Sequence, residues 1–268
     1  MSATPNSIPI HYSLGAFPRF SPWGAANAAT EHDALGIVRT SADWQFPFSA
    51  AHMQICPQNR GQVNPYVINH LREAFPNTVF RLHANVHLLD KLRIIDLDTI
   101  MEEGAYLEAL KACQAALGHP IYSLHPGSRK GRPISWLTNQ AARLQDLLGA
   151  KVAIEGMYPS REHYFLSTWR EYEALFKGDA YFALDFSHIK ILGERNGYFD
   201  HNLVKEMLQS GRCLEVHLSE NDGQHDQHVG IDRLDNQFWL EWVPFIGPET
   251  IIFSEEHYST FMEKRAVI

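Results

Sequence analysis

The chain is poor in cysteine, and its three cysteines lie far apart in the sequence. They form no C-x-x-C pair, which argues against a zinc knuckle and against a dithiol redox site. We therefore predict that Cys56, Cys113 and Cys213 are reduced thiols in a cytoplasmic protein.

The chain also lacks the segments that direct proteins to membranes. No apolar run approaches the roughly 20 residues that span a bilayer, and the first residues (MSATPNSIP) contain no basic stretch followed by an apolar core. Neither a membrane span nor a secretory signal is predicted, and residues 1–7 are expected to be a disordered leader. The length of 268 residues fits a single domain over 1–268.

Positive charge is in deficit, because 23 Lys and Arg residues face 31 Asp and Glu residues and the net charge is -8. This balance argues against a broad basic surface, so binding of duplex DNA is not expected. A short basic loop can still hold one phosphate group. Arg129, Lys130 and Arg132 form such a loop, and we predict that they bind a phosphate-containing substrate.

Several motifs that identify enzyme classes are missing. The sequence has no Gly-rich dinucleotide turn, no Walker phosphate loop, no G-x-S-x-G and no H-E-x-x-H. Histidine is abundant by contrast, with 15 residues that are too scattered for a purification tag. We expect several of these histidines to take part in chemistry.

From residue 79 onward, strand-like and helix-like segments alternate. Helical patterns cover 98–117, 134–148 and 165–176. Each of six strand-like segments ends on a potential metal ligand, and these ligands are His83, His125, Glu155, Asp185, His217 and Glu255. Such alternation predicts a parallel sheet closed into a single α/β (β/α)8 TIM barrel, in which functional groups gather at the carboxyl ends of the strands.

The first third of the chain is less regular. A first strand is predicted within 8–17, a helix over 24–33 and a second strand over 34–41. Residues 42–64 have no clear period, so they are predicted to form a long connection of the kind that carries substrate loops. A further helix is expected to begin at Pro65.

The segment HLSENDGQHDQH, residues 217–228, follows one of the predicted strands directly. A strand that ends at His217 and a short Gly-containing loop can bring Asp226 and His228 to the same barrel mouth. Histidine and carboxylate ligands without thiolate suit zinc, manganese or iron. A carboxylate can also bridge two such ions, as two-metal hydrolytic sites require.

At these residues the chain resembles the endonuclease IV branch of the xylose isomerase-like barrels. The resemblance covers about two-thirds of the chain and is carried by LHPGS at 124–128, IE at 154–155, the D-x-x-H of 185–188, and HLSEND followed by DQH. It implies up to three divalent metal ions, zinc first, with manganese or iron as alternatives.

Carried over by position, the resemblance implies three sets of metal ligands, with Glu155 bridging the first two. The sets are His83, His125 and Glu155; Glu155, Asp185, His217 and Glu255; and His188, Asp226 and His228. Glu155 and Glu255 would be the catalytic carboxylates. Glu256 is adjacent to Glu255, so a shift of one residue would exchange the two; Glu255 is preferred.

Three functions are compatible with these residues. Three metal ions favour hydrolysis of a phosphate ester, either in nucleic acid or in a smaller molecule. The alternative is a sugar or sugar-phosphate isomerase or epimerase with one metal, which leaves five of the nine candidate ligands without a role. An iron-dependent oxidative enzyme is the third possibility, because the ligand types do not distinguish iron from zinc.

Overall fold

The computed structural model describes residues 6–41, 43–91, 93–118, 121–159, 164–231 and 237–258. Within them the strands are β1 (Asn6–Ser7), β2 (Ile10–Ser13), β3 (Val38–Thr40), β4 (Trp44–Ile55), β5 (Val79–Leu82), β6 (Ile121–Leu124), β7 (Lys151–Glu155), β8 (Tyr181–Asp185), β9 (Cys213–Leu218) and β10 (Ile251–Ser254). The α-helices are α1 (Pro22–Asp33), α2 (Pro65–Ala74), α3 (Gly104–Leu117), α4 (Ile134–Leu148), α5 (Trp169–Lys177), α6 (Phe186–Asn196) and α7 (His201–Gln209). Short 3-10 helices cover Leu14–Ala16, Ile100–Glu102 and Phe238–Phe245.

Eight of these strands form a closed parallel barrel. Their order around the barrel is β2, β4, β5, β6, β7, β8, β9 and β10, and β10 returns to pair with β2. All of these pairings are parallel, and helices connect most of the successive strands. The predicted TIM barrel is confirmed.

The second barrel strand is not the one that the sequence predicted. The run 34–41 yields only β3, which pairs antiparallel with β4 outside the barrel. The barrel strand is β4, which lies within the predicted connection 42–64. Its pairing with β2 shifts register, since His11 pairs with Ser49 and the next residue pairs with Met53. Such an irregularity breaks the two-residue period by which a strand is recognised.

The amino-terminal residues also differ in part from the expected leader. Asn6 and Ser7 form β1, which pairs parallel with Trp44 and Gln45 at the start of β4. Residues 1–5 of that leader lie outside the described residues.

Asp185 connects the fold to the site, because it ends β8 and also caps helix α6. Its Oδ1 accepts a hydrogen bond of 3.0 Å from the backbone N–H of His188. A carboxylate at this position satisfies a free amide of the first turn and interacts favourably with the helix dipole. Strand end and helix start are thus held by one side chain, and Asp185 and His188 face the same region.

The protein has two different interiors. Between the barrel and its surrounding helices the packing is apolar and aromatic, as where the rings of Phe186 and Trp242 lie 5.3 Å apart. Inside the barrel, polar side chains are buried: Arg81 donates to Glu215, and Gln54 donates to Glu215 and to Ser123. Among the described residues, no helix is long and apolar enough to cross a membrane.

Candidate metal centre

A small cavity of about 90 Å³ lies at the carboxyl ends of the barrel strands. Seven of the nine predicted ligands line it, namely His83, His125, Glu155, His188, Asp226, His228 and Glu255. Asp185 and His217 are almost wholly buried and lie directly behind this wall. Asp185 Oδ2 is 3.6 Å from His188 Nε2, and His217 Nδ1 is 3.5 Å from Glu255 Oε1. The structure therefore brings all nine residues together.

Glu155, the last residue of β7, is at the centre of this cluster. Its Oε2 lies 3.4 Å from His83 Nε2 and 3.6 Å from His125 Nε2. Its Oε1 lies 3.5 Å from His188 Nδ1 and 3.7 Å from His217 Nδ1. Each carboxylate oxygen therefore faces a different pair of imidazoles.

The first two predicted ligand sets are present as compact groups. The ligand atoms of His83, His125 and Glu155 all lie within 4.8 Å of one another. The atoms of Asp185, His217 and Glu255 meet the same limit. Both groups contain nitrogen and carboxylate oxygen only, a donor set that suits a divalent ion such as zinc.

The third predicted set is arranged differently. Oδ2 of Asp226 lies 3.4 Å from His188 Nε2 and 3.3 Å from His228 Nε2, while Oδ1 accepts a hydrogen bond from Ser187 Oγ. Among the described residues, the compact group that contains His188 pairs it with Glu155 and Asp185 instead. His188 thus lies between the second set and Asp226, which it links to the rest of the cluster.

His228, which lines the cavity, has an unusual backbone conformation. Its φ is 50°, in the left-handed region that non-glycine residues seldom adopt. The adjacent residue, Val229, pairs with Glu220 in an isolated antiparallel bridge that holds the loop. The ring of His257 stacks on that of His228 with centroids 5.4 Å apart. A strained residue that is held from both sides is typical of functional sites.

Several buried polar atoms of the cluster have no hydrogen-bond partner. They are Glu155 Oε2, Asp185 Oδ2, His217 Nδ1 and His228 Nδ1. An unsatisfied buried polar atom costs about 1–3 kcal/mol, so four in one cluster call for a binding partner. All four belong to residue types that bind metal ions through these atoms. The residues present therefore fit divalent metal ions.

Protonation in this cluster follows from burial and from the close packing of opposite charges. Burial opposes ionisation of Glu155, but the imidazoles of His125 and His83 outweigh it and hold the pKa of Glu155 well below its usual value. Burial likewise acts against Asp226, yet His188 and His228 lower the pKa of that carboxyl. Neighbouring carboxylates raise the pKa of His125, His188, His217 and His228 against the effect of burial, whereas burial lowers the pKa of His83 to about 4. Binding of metal ions to the protonated imidazoles would therefore displace protons.

Two of the histidines are oriented by atoms outside the cluster. The carbonyl of Gly156 accepts a 2.8 Å hydrogen bond from His188 Nδ1, which leaves Nε2 of that ring facing Asp185 and Asp226. Nδ1 of His125 lies 3.5 Å from Asp96 Oδ1, so its Nε2 faces Glu155. Such outer contacts fix which nitrogen is available to a metal.

Sequence analysis did not identify Asp96, the residue that orients His125. Its carboxylate also accepts hydrogen bonds from Asn85 Nδ2 and Tyr164 Oη. Its only signal is its place in a loop that follows a ligand-bearing strand.

Glu256, the alternative to Glu255, points away from the cavity. It pairs with Arg39 at 2.8 Å and accepts a hydrogen bond from the backbone N–H of Ile231.

The basic loop lies beside the cavity, and its three side chains do not line it. Arg129 pairs with Glu171 at 2.6 Å, Lys130 pairs with Asp98 at 3.1 Å, and Arg132 lies over the ring of Trp136. Their charges are therefore already engaged. Binding of a substrate phosphate by this loop stays a prediction.

Comparison with known proteins supports the fold. No protein-family model matches the chain, and no curated protein sequence matches it. Among solved structures, the chain is similar to a D-tagatose 3-epimerase-like protein, with a TM-score of 0.63 and 15% identity over 97% of this chain and 96% of that one. A xylose isomerase domain containing protein from Salmonella typhimurium gives a TM-score of 0.63 and 12% identity over 95% and 90% of the two chains.

Endonuclease IV from Thermus thermophilus gives a TM-score of 0.54 and 17% identity over 98% of this chain and 97% of that one. The resemblance to xylose isomerase-like and endonuclease IV barrels is thus confirmed as a likeness of fold. At these identities it leaves the reaction to be argued from the site.

Proposed function

We propose that this protein is a metal-dependent hydrolase of phosphate esters, with zinc as the first candidate metal and manganese or iron as alternatives. The observation that carries the proposal is the position of Asp226 between His188 and His228 at the cavity wall. A one-metal isomerase needs none of these three residues. Hydrolysis that uses three ions gives each of them a role.

The roles of the two carboxylates in this proposal follow from their positions in the cluster. Glu155, held as a carboxylate, lies between two groups of ligands and can hold both at a fixed separation. Glu255 is shared in the same way, with Oε1 at 3.5 Å from His217 Nδ1 and Oε2 at 3.7 Å from His228 Nδ1. Divalent ions held by these residues would lower the pKa of a water molecule and neutralise charge on a phosphoryl group.

The cavity limits what can reach these groups. At about 90 Å³ it accepts the end group of a substrate, so the rest of the molecule would remain outside the mouth. A phosphate monoester or a nucleic acid end meets this condition. Because the net charge is -8, we propose a small phosphorylated or sugar-like substrate rather than duplex DNA.

Metal content and turnover of a His228→Ala variant test the proposal. Metal per chain is measured by elemental analysis of protein purified without added metal, and turnover is measured on phosphate esters. The variant should bind about one metal equivalent less and lose most of its phosphoesterase activity, because Asp226 then keeps a single imidazole partner. His225→Ala is the matched control, since His225 lies in the same loop, is exposed, and contacts Asp222 instead. Unchanged stoichiometry in the His228 variant contradicts the proposal.

A sugar or sugar-phosphate epimerase is the second candidate, and one observation favours it. The TM-score to the D-tagatose 3-epimerase-like protein, 0.63, exceeds the 0.54 to endonuclease IV. In this case Glu155, Asp185, His217 and Glu255 would hold one metal. The purified protein would then contain about one equivalent, and His228→Ala would keep that metal and much of its epimerase activity.

A further inference from the structure

Glu215 lies in β9 two residues before His217, and it is buried inside the barrel below the metal centre. It is not one of the nine predicted ligands. Its carboxylate is surrounded by donors: Arg81 Nη1 is 2.7 Å from Oε1, and Gln54 Nε2 is 3.0 Å from Oε2. A carboxylate without such partners would be costly at this depth.

The same Oε2 lies 3.3 Å from His217 Nε2. A carboxylate that is paired with a guanidinium only accepts hydrogen bonds, so the proton between these two atoms belongs to the imidazole. The other ring nitrogen, Nδ1, is buried without a hydrogen-bond partner and faces Glu155 and Glu255. Nε2 of His217 therefore faces the barrel interior, and Nδ1 faces the cluster of candidate metal ligands.

We propose that Glu215 is a positioning residue that holds His217 with Nε2–H toward the barrel interior and with the Nδ1 lone pair toward the metal centre. Arg81 of β5 and Gln54 of β4 fix Glu215 in turn, so the orientation of one ligand depends on side chains from two other strands. This inference rests on the metal centre of the proposed function, and it does not depend on the reaction catalysed. His217 differs in this from His83, His125 and His188, whose Nε2 atoms face the cluster.

Two double variants isolate the contact between Glu215 and His217. Changing Glu215 alone would leave the buried Arg81 without its counter-charge and endanger folding, so both variants also carry Arg81→Met. In Arg81→Met/Glu215→Gln, the side-chain amide oxygen of the new glutamine can replace Oε2 of Glu215. It can then accept hydrogen bonds from both Gln54 and His217, as Oε2 does. In Arg81→Met/Glu215→Leu, no acceptor remains at that place. The two variants differ in whether an acceptor is offered to His217 and to Gln54.

Zinc affinity is measured by titrating each metal-free protein against a competing chelator. We expect the Leu variant to bind one zinc ion about 10- to 100-fold more weakly than the Gln variant, which is the usual effect of losing an outer partner of a metal ligand. The Gln variant should bind close to the unaltered protein. Equal affinities in the two folded variants overturn the proposal.

A measurement on the unaltered protein keeps the inference testable even if the Leu variant does not fold. Long-range ¹H–¹⁵N NMR spectra report which nitrogen of each histidine carries a proton, and His217→Asn identifies the signals of His217. In the zinc-loaded protein the proton should lie on Nε2 of His217, and a proton on Nδ1 instead overturns the proposal. If the protein takes up no metal, the proposed function fails. The metal-free spectra then still test the inference, because absence of a proton on Nε2 contradicts it.

Discussion

The two parts of the barrel contribute differently to the cavity. Strands β5 to β10, the loops after them and the first turn of α6 supply all nine candidate metal ligands. Residues 6–64 supply Ser13, Gly15, Cys56, Pro57 and Gln58 to the same cavity, without a carboxylate or an imidazole among them. One side of the mouth is therefore built to hold cations, and the other is a neutral wall. We infer that the substrate lies against that neutral wall.

Removing the negative charge of Glu155, at the centre of the candidate metal ligands, should have the largest effect on metal content and turnover. Glu155→Gln keeps the shape of the side chain but removes the carboxylate that faces four imidazoles. We expect lower metal content and a loss of turnover greater than the roughly 100-fold that follows loss of an outer partner of a metal site. Elemental analysis and kcat measure the two effects. Glu173→Gln, on the exposed surface of α5, is the control, and full activity of Glu155→Gln would contradict a bridging role.

A second prediction concerns a histidine within residues 6–64, the part of the barrel that supplies no candidate metal ligand. His11 in β2 is buried and hydrogen-bonds the carbonyl of Ser49, and burial lowers its pKa from 6.5 to about 4. The unfolded chain therefore takes up this proton at higher pH than the folded protein does. The stability that depends on neutral His11 is complete above pH 6.5 and is lost as the pH falls toward 4, by roughly 3 kcal/mol in all.

Chemical unfolding of metal-free protein at a series of pH values measures this effect. His11→Gln removes the titrating group, so its free energy of unfolding should fall less steeply below pH 6.5 than that of the unaltered protein. Identical slopes for the two proteins would show that His11 does not contribute.

Narrowing the cavity on the side of the neutral wall should have a smaller effect, confined to substrate binding. A Cβ on Gly15 would lie 2.9 Å from Gln58 Oε1 and 3.1 Å from Cys56 Cβ, so Gly15→Ala must displace Gln58. We expect KM to rise by somewhat less than tenfold, or roughly 1 kcal/mol, with unchanged metal content. Gly104→Ala is the control, because a Cβ there meets nothing within 4 Å. A drop in metal content instead would mean that the two sides of the cavity are not independent.

The smallest effect is expected at the basic loop. Arg129→Gln combined with Arg132→Gln should raise the KM for a phosphate ester only about twofold, because Arg129 is already paired with Glu171 and Arg132 already lies over the ring of Trp136. Metal content should not change, and Arg143→Gln combined with Lys177→Gln, both on exposed helix surfaces, controls for the loss of two positive charges. If no phosphate ester binds more weakly, the loop is ordinary surface.

The regular part of the barrel was predictable because β7 and β8 end on the side chains that carry the chemistry, Glu155 and Asp185. Strand β4 was not, because its irregular pairing with β2 hides its period. The grouping of His188 with Glu155 and Asp185 was also beyond the sequence. It depends on the capping of α6 by Asp185 and on the carbonyl of Gly156, which orients the His188 ring. Spacing in the sequence shows that two residues are near each other, but not which third residue they approach.

The pairing of Arg81 with Glu215 also bears on how the protein folds. These residues are 134 positions apart, and their strands, β5 and β9, are four places apart around a ring of eight. The contact therefore crosses the full width of the barrel and cannot form until the last strands have been added. A partly assembled barrel leaves a charged guanidinium in its interior, where water must stay until Glu215 arrives. We expect barrel closure to be slow, because contacts over such long stretches of chain form late, and expulsion of water from the interior should accompany that final step.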